Sequence, residues 1–384
     1  MDTPFPYSQY VTGKNFVGRS QDVTLLGNFI FQGEHVVISS PPKTGKTSLI
    51  QQTLFSNKMQ GKNFAVGQFS ALNIRTETDF LLRFGSTVIK MAASSPDEYA
   101  TLVARYLEGT HFVFDPDAYS ERGEVLSLSW EPDRADTVAL LRFPFALSAD
   151  TGTQMFLIMD EFQCVSFLEN PDDILLPLHS VIKDCREEGL TRFSMIFCGS
   201  GINAMNRIFR SSHIFHRQVV HLDLTPIPER EMADHALKGF LASGKVISMD
   251  LMMGACRLFQ GHPWYINHFA AICDSMTRGY ILEPVLVEAL GCLVSVHEPR
   301  MREVVNDLTT HQVNFLRAAA EGITRFSSSE VIRKYDLHSS ANVKRVKDAL
   351  MKKEVLVFDA DDNPHFTDPL FEYWVKKYYF QIIQ

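Results

Sequence analysis

Apolar residues along this chain come in two kinds of run. HVVISS, from His35 to Ser40, is a short β-branched block of the kind a buried parallel strand requires. TSLIQQTLF follows it and places Leu49, Ile50, Thr53 and Leu54 at helical spacing. Strand-like blocks recur at NFAVGQFSAL (Asn63 to Leu72), MFLIMDEFQ (Met155 to Gln163), FSMIFCGSG (Phe193 to Gly201) and VVHLDL (Val219 to Leu224). These predict an α/β fold: a mostly parallel sheet of about five strands with helices on both faces, and a ligand at the carboxyl ends of the strands.

After Pro226 the pattern turns helical, through ADHALKGFLASG, SMDLMMGACRLFQG and PVLVEALGCLVSV, with glycines near the helix ends. From His311 it changes again. HQVNFLRAAAEG reads as a helix ending at Gly322, and SSSEVIRKYDL as a helix capped by Ser327 or Ser328. SSANVKRVKDALMKKE reads as a further helix. VLVFDADDNPHFTD reads as a hairpin turning at Asp361-Asp362-Asn363-Pro364. Three helices and a hairpin make a winged helix pattern. Its recognition helix begins near Ala341 and carries Lys344, Arg345, Lys347, Lys352 and Lys353. That stripe can contact nucleic-acid phosphates, or it can be the solvated face of a protein-docking module diluted by Asp336, Asp348 and Glu354. The predicted domains are 1–225 for the core, 226–305 for a helical lid and 306–384 for the winged helix. Tyr106 to Thr137 lacks a period and reads as an irregular insertion with a short hairpin around VLSLSW.

The bulk numbers narrow the classes. A chain of 384 residues is too long for one compact core. A net charge of −8 leaves no global field toward nucleic acid or an acidic membrane. No apolar stretch spans a bilayer and no signal peptide opens the chain. The 6 cysteines form no CxxC pair, and several lie in apolar segments, which predicts reduced, buried thiols and a cytoplasmic protein.

The candidate chemistry lies at the ends of the predicted strands. SSPPKTGKTSLI, from Ser39 to Ile50, nearly fits G-x-x-x-x-G-K-[ST], with Ser40 in place of the first glycine. In a strand–loop–helix setting, the backbone N–H groups of Pro42 to Ser48, proline apart, converge on phosphate oxygens. Lys46 adds charge for the β- and γ-phosphates, and the Thr47 hydroxyl can ligate Mg²⁺. Lys43 is expected to face outward. Asp160 and Glu161 end an apolar strand, where Mg²⁺ is a natural partner for Asp160 and Glu161 can orient or deprotonate water. A solvated acidic turn is the bland alternative. Ser200, after the next strand, can bond the γ-phosphate or simply form a Gly-Ser turn.

NFVGRSQDVTLL, SPPKTGKTSLI, FLIMDEFQ, IFCGSGINAMNRIF and FQGHPWYINHFA occur in the order seen in archaeal-type ATPases of the STAND/AAA+ group, which this chain resembles over nearly its whole length. The resemblance implies a P-loop NTPase core, a helical lid, a winged helix, and a Mg²⁺-dependent ATPase that binds ATP or ADP. It implies that Val17, Gly18 and Arg19 lie near the adenine, with Gly18 and Arg19 opening the first helix. Thr44, Gly45, Lys46, Thr47 and Ser48 then hold phosphates, and Asp160 and Glu161 hold metal and water. Ser200 becomes the sensor group, Arg217 a catalytic arginine, and His262-Pro263 the start of a lid helix over the nucleotide. Three functions stay open: an ATP-hydrolysing switch, a nucleotide-dependent DNA-binding regulator with slow hydrolysis, and a scaffold that retains ADP. A DNA or protein partner for the winged helix, and a homo-oligomer, stay open as well.

Overall fold

The computed structural model describes residues 4–211 and 214–383. The chain forms two compact units. One, the sheet unit, comprises Ser20–Ser40 and Gln52–Leu224. The other, the lid unit, comprises the N-terminal segment up to Arg19, the segment Pro41–Gln51, and the chain from Thr225 onward.

The sheet unit is built on five parallel strands: β1 (His35–Ser39), β2 (Ala65–Ser70), β3 (Met155–Asp160), β4 (Phe193–Gly199) and β5 (Val219–His221). Their order is β2-β3-β4-β1-β5. Every pairing is parallel, with Val36 opposite Ile196 and Met155 opposite Phe193, so all five carboxyl ends lie along one edge. All of β4 and all of β3 but Asp160 are buried, as continuous apolar runs require in a sheet covered on both faces. Helix Glu77–Ala92 starts at Thr76, whose hydroxyl accepts the Asp79 N–H, and lays Phe80, Phe84 and Val88 into the core. Helices Arg134–Thr151 and Asp172–Glu187 bury Phe143, Phe145, Leu178 and Ile182 in the same cluster.

The insertion is more ordered than its composition predicts. Ser127–Leu128, within VLSLSW, pairs antiparallel with Phe112–Val113. Between them, helix Pro116–Arg122 is capped by Asp115 and ended by Gly123. That helix buries only Ala118, so it leaves no periodic signal in the sequence.

The lid unit packs helices Glu229–Ala242, Met249–Leu258, Pro263–Met276 and Glu283–Asn306 around one apolar cluster, shared with the chain that follows. Helices Thr310–Ala320, Ser329–Lys334 and Ser340–Lys352 come next, then the hairpin Leu356–Phe358 with Pro364–Phe366, and helix Pro369–Trp374. Of the two expected caps for the second of these, Ser328 is the one used. The hairpin turn differs from expectation: Pro364 is the first paired residue, opposite Phe358. The reason is Asp359, whose carboxylate accepts the N–H of Asp361 and Asn363 and closes the turn before the proline. Among the described residues no helix is long and apolar enough to cross a membrane. All six cysteines are free, and only Cys292 is exposed.

Candidate nucleotide site

The chain leaves β1 and enters the loop at Pro41, and the next helix begins at Lys46. This is the strand–loop–helix setting that the motif needs. The two positive φ angles of the loop fall on Lys43 (61°) and Gly45 (100°). Ser40 has no positive φ, so the missing first glycine does not strain the backbone at that place. The left-handed turn has moved onto Lys43, where a side chain costs about 1–2 kcal/mol. At Gly45 a side chain would be doubly unfavourable, since an added Cβ would also lie 3.1 Å from Nη1 of Arg19.

Side chains tie down the loop carbonyls. Lys46 is 7% exposed, and its Nζ donates to the Pro41 carbonyl at 2.9 Å. The Thr44 hydroxyl donates to the same carbonyl at 2.8 Å. Arg19 donates from Nη1 to the Thr44 carbonyl at 2.7 Å and from Nε to the Thr225 carbonyl at 2.8 Å. Its role here is therefore to brace the loop backbone. Gly18 and Arg19 have φ of 64° and 55°, so they precede the first helix, which starts at Ser20, rather than opening it. Val17 packs against the lid-unit core. Ser48 accepts the Val11 N–H at 3.1 Å, and Thr47 is half-buried beside it in the first helical turn.

His262 caps the lid helix, with Pro263 as its first residue. Nδ1 accepts the Tyr265 N–H at 3.5 Å, so Nε2 carries the proton and donates to the Pro42 carbonyl at 3.1 Å. Burial pushes the ring pKa down to about 4, in keeping with a neutral imidazole that uses both nitrogens. Lys43 is exposed, as expected, yet its ammonium does not simply face solvent: it lies 3.6 Å over the Trp264 ring. Burial and then the Arg300 charge lower its pKa.

The carboxyl edge of the sheet unit carries the second constellation. Glu161 follows β3 with φ 52°, and its N–H bonds the Asp160 carboxylate at 3.0 Å. Ser200, just past β4, donates to Glu161 Oε2 at 2.6 Å. Gln163 Nε2 donates to the same oxygen and lies 3.4 Å from the Ser200 hydroxyl. The amide oxygen of Gln163 is buried without a hydrogen-bond partner. An added Cβ at Gly199 would lie 2.4 Å from Met205 and 2.6 Å from that amide oxygen, so the close approach needs glycine. Sequence reading named Glu161 and Ser200 but missed Gln163. Its signal was a polar residue two places after Glu161, amid the buried Phe162 and Val165.

Arg217 does not join this cluster. It precedes β5 and so lies at the amino ends of the parallel strands, the edge opposite Glu161 and Ser200. It is exposed with φ 61°, and its carbonyl accepts from Arg186. A sequence motif cannot show this, because the edge on which a residue falls depends on strand direction.

On the winged helix, Lys347 pairs with Asp362 of the hairpin turn and lies 4.0 Å over Phe358. Lys353 donates to the Asp307 carbonyl at 2.8 Å, and Arg345 donates to Asn342 at 2.7 Å. Lys344 and Lys352 are exposed.

Comparison with known proteins agrees with this architecture. Residues 300–377 match the family described as "Probable winged helix domain". No match to a curated protein was found. The Walker-type ATPase of Pyrococcus abyssi superposes with a TM-score of 0.68 at 14% identity, over 97% of this chain and 99% of that one. The ORC2 protein of Aeropyrum pernix, solved as ADPNP–ADP complexes, gives 0.55 at 13% identity, over 96% and 93%. Its ADP form gives 0.51 at 12% identity, over 93% and 90%. The chain thus has the fold of a P-loop ATPase with a C-terminal winged helix.

Proposed function

We propose that this protein binds Mg²⁺–ATP at the Pro41–Ser48 loop, hydrolyses it with the acid pair, and uses the cycle to switch its lid and winged helix between two arrangements. One observation carries the reading. A left-handed turn at Lys43 and Gly45, with the Pro42 and Thr44 carbonyls tied to side chains, leads straight into a helix N-terminus at Lys46. That arrangement is an anion cradle.

In this reading Lys46 gives up the Pro41 carbonyl for phosphate oxygens. Thr47 and Asp160 are hard oxygen donors that suit Mg²⁺, which would neutralise charge on the phosphates. Mg²⁺ needs few protein ligands when phosphates supply others, and no larger metal-ligating cluster exists among the described residues. Glu161, held by Ser200 and Gln163, orients and deprotonates the attacking water. The unpartnered Gln163 oxygen supplies a second acceptor for that water. The P-loop ATPase fold and the nucleotide complexes of a structural neighbour support the reading.

Calorimetry tests it. Mg²⁺–ATP should bind the wild-type chain, and Lys46→Ala should abolish binding. Unchanged affinity in that variant removes the reading.

The winged helix fits a protein-docking module better than a duplex-binding one. Three of its five basic side chains are engaged within the chain, and Asp359, Asp361 and Asp362 put acid at the hairpin turn. Gel-shift titration at low salt should show no complex at micromolar protein. A salt-sensitive shift abolished by Ala at Lys344, Arg345 and Lys347 would establish the DNA-regulator alternative instead.

A further inference from the structure

A residue with a Cβ avoids the left-handed region unless its surroundings hold it there. Lys43 has φ 61°. Two side chains of the lid unit meet it and its neighbour. His262 Nε2 donates to the Pro42 carbonyl at 3.1 Å, and the Trp264 ring lies 3.6 Å beneath the Lys43 ammonium. The Pro42–Lys43 peptide is planar and trans, so its C=O and N–H point in opposite directions. Fixing that carbonyl on His262 therefore also fixes where the Lys43 N–H aims.

The turn of helix that bears this bond is itself tied down. The Tyr265 hydroxyl lies 2.8 and 2.9 Å from the two carboxylate oxygens of Asp368. Arg300 donates to the same carboxylate at 2.7 Å and to the Tyr265 hydroxyl at 3.0 Å. Asp368 caps helix Pro369–Trp374, which follows the winged helix hairpin.

We infer that His262 is a positioning residue of the nucleotide loop: it clamps the Pro42–Lys43 peptide, holds Lys43 in its left-handed turn, and so makes phosphate binding depend on the lid helix. This rests on the nucleotide reading above and deepens it. The loop has no opening glycine, and the clamp offsets the strain that moved to Lys43. The Tyr265–Asp368–Arg300 tie extends the dependence to the winged helix. Loss of that tie would loosen the clamp and weaken nucleotide binding.

A double-mutant cycle with ADP as the probe decides the matter. His262→Asn keeps a capping side chain, while its shorter reach gives up the Pro42 bond. In the wild-type background it should lower ADP affinity about tenfold, the worth of one lost hydrogen bond. In a Lys43→Gly background it should cost less than about threefold, because glycine takes a positive φ unaided. Equal losses in both backgrounds, or no loss in either, overturn the inference. Melting curves of all four proteins without nucleotide guard against misfolding. A collapsed transition in His262→Asn that Lys43→Gly does not restore also overturns it. If the wild-type chain binds no ADP, the nucleotide reading itself has failed, which is a different result.

Discussion

The loop and the acid edge solve the same problem by different means. Each places a non-glycine residue in the left-handed region, Lys43 at φ 61° and Glu161 at φ 52°. Glu161 is held by its own surroundings: Asp160 accepts its N–H, Ser200 and Gln163 bond its carboxylate, and β3 and β4 are buried strands of one sheet. Lys43 is held by residues more than two hundred positions away in sequence, His262 and Trp264. Strain locked by neighbouring strands is permanent while the sheet stands. Strain locked by a lid lasts only while the lid stays in place. In the proposed function, the acid edge then serves chemistry that never varies, and the loop binding that can be switched.

The largest expected effect tests the fixed half. Glu161→Gln should retain ATP yet slow turnover by roughly 10²–10⁴-fold, the worth of general-base or water-orienting help. Affinity should hardly move, because Ser200 and Gln163 still find an acceptor oxygen at that position. Single-turnover assays alongside equilibrium binding separate the two quantities. Wild-type turnover in this variant would reduce the acid pair to a strand terminus and end the contrast between the two halves.

A smaller effect compares the two units through their buried histidines. His35, in the sheet unit, is 3% exposed, and its Nδ1 accepts the Met195 N–H. Burial, and then the Arg186 charge, lower its pKa to about 3. His262, in the lid unit, is lowered to about 4, chiefly by burial. In both the folded-state value lies below the unfolded one, near 6.5. The unfolded chain therefore takes up the extra protons, and the stability tied to the neutral rings is complete above that pH and lost as pH falls below it. Each ring contributes a slope of about 1.4 kcal/mol per pH unit between its two pKa values. Thermal melts from pH 6.5 to 5, above most carboxylate titration, should show a falling Tm. His262→Asn should remove one ring's share of that slope. His35 keeps its own share, and His297, whose pKa burial also lowers to about 4, adds to the rest together with His221, His235 and His268. A flat profile over this window would mean that neither ring is held neutral.

Much of the fold was legible in the chain because buried parallel strands leave continuous apolar runs. Val36 to Ile38, Met155 to Met159 and Phe193 to Cys198 were readable for that reason. The loop, the acid pair and Ser200 were readable because they sit where those runs stop. Helix Pro116–Arg122 was not, since a single buried residue leaves no period. Nor was the bracing role of Arg19, whose partners are the carbonyls of Thr44 and Thr225, groups that every residue possesses.

The sequence by itself determined which residues carry charge and oxygen to the strand ends, and that three helices and a hairpin follow. Those properties are local: side-chain chemistry and the period of apolar positions decide them within a few residues. Only the tertiary structure decided that Arg217 belongs to the opposite edge of the sheet, since that follows from strand direction. It alone decided that Lys347 is neutralised by Asp362, and that a lid histidine holds the loop where a glycine is missing. Each depends on which groups a distant part of the chain brings within hydrogen-bonding reach, and no local pattern encodes that distance.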